Sequence, residues 1–206
     1  ALVSVVERAH AGGIPVAIFD SDIDTEKRLT FVSTDNREGG RMAARRLAER
    51  MYGKGEVAVI GFVPGSASTR EREEGFAEEI ANYKDIKIVQ TVFGTGDRAK
   101  SIAVAENVLN SHPDLGGLFS DNESSSVGAI VALKARGNSR IYAVAFDAND
   151  QLIADLQDRR IDALILQDPF RMGYEAVKAI GMKLKGETPP ARIDSGVYLV
   201  TRMNME

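Results

Sequence analysis

The sequence predicts an α/β protein whose parallel sheets are flanked by helices. Six short apolar runs, rich in Val and Ile, alternate with longer amphipathic stretches. The runs are apolar throughout, as strands covered by helices on both faces are. Strand and helix alternating along a chain build parallel sheets with helical layers.

The elements follow in order. Leu2, Val3, Val5, Val6 and Ala9 form an apolar stripe at helical spacing with no cap and no basic-then-apolar leader before it, which predicts further chain upstream of Ala1. The expected strands are Ile14–Asp20, Glu56–Phe62, Ile86–Phe93, Leu115–Ser120, Ile141–Asp147 and Ile161–Gln167, and Phe62, Phe93, Phe119 and Phe146, in or at the ends of these runs, read as core. Helical patterns occupy residues 36–52, 69–82, 98–111, 123–136, 149–158 and 170–185. Ser68-Thr69-Arg70-Glu71 fits a capping box, and Asp97 fits an N-cap for the helix beginning at Arg98. Gly53, Gly137 and Gly186 close helices. Arg192–Met203 alternates weakly and reads as a final strand. There is no repeat of solenoid length and no Pro/Gly-rich linker, so a second domain must be joined by tight crossovers. Ser33–Asn36, Gln167–Pro169 and Ala191–Ser195 are the candidates.

Composition narrows the chemistry. The 206 residues are 44% hydrophobic and 27% charged, ordinary values for a globular chain. A net charge of −4 supplies no excess positive field for a nucleic-acid backbone. Cysteine is absent, which excludes thiol catalysis, cysteine metal ligands and disulfides. No apolar run approaches the roughly 18 residues of a membrane-spanning helix.

Ligands of open parallel sheets bind beyond the carboxyl ends of the strands, so the residues after each run matter. They are Asp20-Ser21-Asp22, then Gly61 to Ser68 with Arg70, then Gly94-Thr95-Gly96-Asp97, Asp121-Asn122, Asp147, and Gln167-Asp168. Asp and Asn also cap helices and turn loops, so any single one of these reads equally as a cap. Together they offer hydrogen-bonding groups without a nucleophile–base pair. His10 and His112, the only histidines, read as surface or loop residues, and Asp20 with Asp22 is a weak metal signal. Gly94-Thr95-Gly96-Asp97-Arg98-Ala99 matches a dinucleotide loop, but Asp97 would put a carboxylate where the phosphate belongs. Neither a cofactor nor a metal is expected.

Several segments resemble periplasmic sugar-binding proteins of the ribose-binding type. They are Gly13–Asp22, Ser33-Thr34-Asp35-Asn36 with Glu38-Gly39-Gly40-Arg41, Arg70-Glu71-Arg72 with Gly75-Phe76, Asp121-Asn122 before Gly128-Ala129, Ala145-Phe146-Asp147, and Gln167-Asp168-Pro169. They fall in family order across nearly the whole chain. The same fold serves the effector domains of lactose-repressor-type regulators.

The resemblance implies a two-lobed fold with the ligand between the lobes and an incomplete N-terminal lobe. Residues 1–33 and 168–192 would belong to that lobe, and 36–166 with 193–206 to the C-terminal one. It implies sugar hydrogen bonds from Asp20, Arg70, Asn122, Asp147 and Gln167, with Ser21, Asp22, Phe19 and Phe170 adjoining them. Two positions depart from the ribose pattern: Ser21 replaces an Arg, and Gly96 replaces an aromatic residue. The expected ligand is therefore a monosaccharide or polyol. The implied function is solute binding for an ABC-type sugar uptake system, with no covalent chemistry, a membrane permease as partner and a periplasmic location. A repressor effector domain is the alternative. An incomplete lobe also predicts an exposed strand edge, uncovered apolar surface and self-association. The basic cluster Arg41, Arg45, Arg46 and Arg50 reads as a solvated helix face or a partner surface.

Overall fold

The computed structural model describes residues 2–137 and 140–205. The chain packs as two units. One comprises residues up to Asp35 and Gln167–Val197; the other comprises Asn36–Leu166 and the residues from Tyr198 on.

The first unit holds helix α1 (Val3–Ala11), strands β1 (Ala17–Phe19) and β2 (Thr30–Ser33), helix α7 (Pro169–Leu184) and strand β8 (Arg192–Asp194). The strands form a parallel sheet in the order β1-β2-β8, with β2 buried along its whole length. Val32, Met172 and Ala176 form its small core between β2 and α7. Asp168 caps α7 by accepting from the Arg171 amide at 2.8 Å, and Pro169 takes a first-turn position whose N–H has no helical partner. The outer face of α7 leaves Phe170, Tyr174, Val177 and Leu184 exposed.

The second unit contains α2 (Asn36–Arg50), β3 (Lys54–Gly61), α3 (Ala67–Ile80), β4 (Asp85–Phe93), α4 (Arg98–Ser111), β5 (Leu115–Ser120), α5 (Glu123–Arg136), β6 (Tyr142–Phe146), α6 (Asp150–Gln157), β7 (Ala163–Leu166) and β9 (Tyr198–Val200). Its six strands run β4-β3-β5-β6-β7-β9; all are parallel except β9, which pairs antiparallel with β7. Helices cover both faces, and this explains the continuous apolar runs. Ala58, Ile60, Leu118, Ala143 and Ala145 point into a core shared with α4, α5 and α6. Their neighbours Val57, Val59, Phe119, Val144 and Phe146, equally buried, alternate to the opposite face. There Phe76 of α3 stacks on Phe119, with ring centroids 4.7 Å apart.

Four expectations are corrected. The strand β2 falls in no predicted run; Thr30-Phe31-Val32-Ser33 is too short and too flanked by polar residues to stand out, and burial on both sides makes it a strand. Arg192–Met203 is not one strand. Asp194 accepts from the Gly196 amide, Gly196 takes φ 93° and Ser195 is buried, so the chain turns there, and the last crossing follows Val197 rather than lying within Ala191–Ser195. The Ser68 capping box does not form, because α3 starts two residues earlier and Ser68 and Thr69 are buried in its first turn. Phe62 and Phe93, expected in the core, are only half-buried.

Candidate ligand-binding site

The strand order β4-β3-β5-β6-β7 reverses direction between β3 and β5. At such a switch point the loops leave in opposite directions and open a crevice at the carboxyl ends of the strands. Phe62 follows β3 and Asp121-Asn122 follow β5, so they stand at this crevice.

Asn122 is the N-cap of α5. Its Oδ1 accepts from the Ser125 amide at 3.0 Å and from Ser125 Oγ at 2.7 Å, and Ser125 Oγ in turn accepts from the Asn122 amide. Asp147, one strand over at the end of β6, accepts from the Glu123 amide at 3.1 Å through Oδ2. The first turn of α5 therefore ties the two residues together. Helix α3 is fixed to the same edge by Arg72, which is buried. Its Nε donates to Asn36 Oδ1 at 2.8 Å, its Nη1 donates to the Asp121 carbonyl at 2.7 Å, and its guanidinium lies 3.7 Å from the Phe146 ring centroid. Arg70, one half-turn earlier, is exposed, with Glu74 3.8 Å from its Nε.

Gly96 explains one departure from the family pattern. A β-carbon there would stand 2.7 Å from Cε2 of Phe62, and φ is 76°. The Phe62 ring occupies the space beside the residue that is aromatic in the ribose pattern. Sequence reasoning placed Phe62 in the core; its position at the carboxyl end of an apolar run was the available signal.

Asp121 is fully buried, and its Oδ1 lies 3.3 Å from Ser125 Oγ. Burial pushes its carboxyl well above the usual range. The negative charge of Glu73 adds to this, and the Arg72 guanidinium opposes it. Burial also raises Glu73, against a hydrogen bond with Asp121. Burial therefore favours the protonated form of both acids directly beside Asn122.

In the first unit, Asp20 ends β1 at φ 68°, and its amide donates to the Val32 carbonyl at 2.9 Å. Asp147 has the same φ of 68°, and its amide donates to the Ile165 carbonyl at 2.9 Å. Each unit thus ends a strand in Phe-Asp, with the Asp in the left-handed region and held by the next strand (Phe19-Asp20 in one, Phe146-Asp147 in the other). Positive φ is uncommon outside glycine, and Asp is among the residues that tolerate it. Phe19 is 55% exposed, whereas Phe146 is buried beneath Arg72. Ser21 is half-buried. Asp22 is engaged within its own loop, accepting from the Ile23 amide at 2.8 Å and pairing with Arg28 at 3.3 Å. Gln167 is half-buried, immediately before the α7 cap, and Phe170 is 83% exposed on the α7 stripe.

Among the described residues no group of three His, Asp or Glu side chains could hold a metal ion. Asp97 caps α4, accepting from the Lys100 amide at 2.7 Å, so its carboxylate occupies the helix start that a phosphate would need.

The family model described as periplasmic binding protein domain matches residues 1–188. The chain is 36% identical over 202 residues to the ribose import binding protein of Bacillus subtilis, covering 98% of this chain and 65% of that protein. It is 31% identical to the D-ribose/D-allose-binding protein of Pseudomonas aeruginosa, covering 98% of this chain and 66% of that one. A carbohydrate transporter solute binding protein from Agrobacterium radiobacter, solved with D-arabinose, superposes with a TM-score of 0.95 at 30% identity, covering 100% of this chain and 72% of that one. The solute binding protein of Agrobacterium vitis bound to α-D-tagatopyranose gives a TM-score of 0.94 at 32% identity, over 98% of this chain and 72% of that one. The chain spans about two thirds of the length of the curated relatives it matches.

Proposed function

Because the chain belongs to the periplasmic binding protein domain family, we propose that it binds a monosaccharide or polyol at the carboxyl ends of its strands. Arg70, Asn122 and Asp147 of the second unit and Asp20 and Gln167 of the first are its hydrogen-bonding residues. One observation carries the reading: Asn122 and Asp147 are knit together by the first turn of α5, at the point where the sheet order reverses.

The chemistry suits a hydroxyl-rich, uncharged ligand. A sugar hydroxyl both donates and accepts, so carboxylates accept from it while amides and guanidinium groups donate. Each charge-assisted bond contributes about 1.5–3 kcal/mol net. Leaving one buried group unpaired gives discrimination between sugars. The Phe62 ring offers an apolar face for sugar C–H groups. Relatives named for ribose, allose and apiose import, and neighbours solved with arabinose and tagatose, support this ligand class. On the same ground, the partner is a membrane permease, the location is periplasmic, and the protein does no covalent chemistry. The exposed stripe on α7 supports self-association, which sedimentation velocity over a concentration series reads directly.

Calorimetry against pentoses, hexoses and polyols tests the reading. Asn122→Asp retains the capping oxygen and loses the amide donor, while Asp147→Asn retains the shape and loses the charge. Each is expected to weaken sugar binding at least about tenfold, the loss of one charge-assisted bond, with little change in melting temperature. Unchanged affinity in both variants removes these residues from the site.

A further inference from the structure

The amino ends of the second unit's strands, opposite the proposed sugar site, carry a different chemistry. A cleft of about 530 Å³ is lined there by Arg46, Arg50, Arg140, Arg159 and Arg202, with Asp162 as its single acid. Topology assembles it. Arg140 precedes β6, and Arg159 and Asp162 precede β7. Arg202 follows β9, which runs antiparallel and so ends at the edge where its neighbours begin. Arg46 and Arg50 lie one turn apart at the end of α2.

The four-arginine motif of α2 is split by this arrangement. Arg41 and Arg45 turn to glutamates: Arg41 pairs with Glu78 at 3.1 Å, and Arg45 pairs with Glu38 and Glu79. Arg46 and Arg50 turn to the cleft. Arg50 is held in place, its Nε donating to Asp162 Oδ1 at 2.8 Å and its guanidinium 4.8 Å from the Tyr142 ring centroid. Arg46 pairs with Glu49 at 2.7 Å, yet its Nε is buried without a hydrogen-bond partner. Arg140, Arg159 and Arg202 form no ion pair among the described residues.

Five guanidinium groups against two carboxylates, Asp162 on Arg50 and Glu49 on Arg46, is an inverted balance in a chain of net charge −4. The dipole at the end of α2 accounts for Arg50. It does not account for three arginines delivered by separate loops, nor for a buried N–H left unpaired. Guanidinium forks match the oxygens of phosphate bidentately, and they remain charged at any working pH. We propose that this cleft is a binding site for a phosphate-bearing anion, independent of the sugar site.

Calorimetry with pyrophosphate, at ionic strength held constant with sodium chloride, tests it. Arg140→Gln combined with Arg202→Gln removes two of the unpaired forks, and far-UV circular dichroism with the unliganded melting temperature checks that the fold is intact. The wild-type chain is expected to bind, with affinity falling as salt is raised, and the double variant to bind at least about tenfold more weakly. Arg140→Lys with Arg202→Lys keeps the charge but not the fork, and should fall between the two. A second arm uses vesicles with and without phosphatidylglycerol. Capture by these alone, lost in the Gln variant, places the phosphate group on a lipid. No binding in either arm, or equal binding by the Gln variant, overturns the proposal.

Discussion

Asn122 illustrates how one side chain serves two levels of the structure. Its oxygen completes the start of α5, and its side-chain NH2 spends one N–H on Ser124 Oγ at 3.3 Å, which leaves the second for the crevice chemistry proposed above. A cap alone contributes about 1 kcal/mol, so affinity and stability separate cleanly in Asn122→Asp. Arg72 is the opposite case, a charged residue whose role is architectural. It binds Asn36 and the Asp121 carbonyl while lying over Phe146. Arg72→Met is expected to cost about 3 kcal/mol in chemical denaturation, because it strands buried partners. A cost below about 1 kcal/mol would refute that role. The acids nearby set the pH behaviour. Asp121 is raised by burial, so above the ordinary carboxylate value near 4 the native chain keeps a proton that the unfolded chain has released. Stability therefore falls as pH rises through that window. Glu78 works in the other direction. Hydrogen bonding and charge from Arg37 hold it at about 2, so its contribution is present above the ordinary range and fades as pH falls toward 2. Melting curves from pH 4 to 8 should show Asp121→Asn gaining a few degrees over wild type at pH 8 and little at pH 4. A constant difference across the range would exclude a raised Asp121 carboxyl.

Among the elements, α2 and α3 show the tightest packing. A β-carbon at Gly40 would stand 2.0 Å from the Arg72 carbonyl oxygen, and one at Gly75 would stand 2.0 Å from that of Arg37. The two glycines let the helix backbones touch, and Arg37 and Arg41 then meet Glu74 and Glu78 across the outer surface. Either Gly→Ala change forces the helices apart and is expected to cost about 3 kcal/mol. Thermal unfolding of each variant measures it, and a change within about 0.5 kcal/mol would show that the helices separate freely. Most helix ranges were readable because amphipathic spacing and capping residues such as Asp97 are local signals. The start of α3 was not, since Ser68 satisfies a capping pattern that burial of the first turn overrides.

At the scale of the whole molecule the two units differ in core. The second has a cluster running from β3 to β7 under α4, α5 and α6, while the first rests on Val32, Met172 and Ala176. Hydrogen exchange should therefore be slowest in β3, β5 and β6, and faster in β1, β2 and α1. Equal protection throughout would mean that the small core is as stable as the large one. The paired Phe-Asp strand ends also emerge only at this scale, because their shared backbone conformation depends on a neighbouring strand in each sheet.

By itself the sequence determined the α/β class, the order of the elements from α2 to α7 and the polar tips of the strands, because periodicity and capping act between residues close along the chain. The strand order, the partner that makes Thr30–Ser33 a strand, the burial that couples Asp121 to Glu73, and the gathering of five arginines at one sheet edge were decided by tertiary structure. Each depends on segments distant in sequence, and a carboxyl or guanidinium group acquires its chemistry only from the neighbours that folding brings to it.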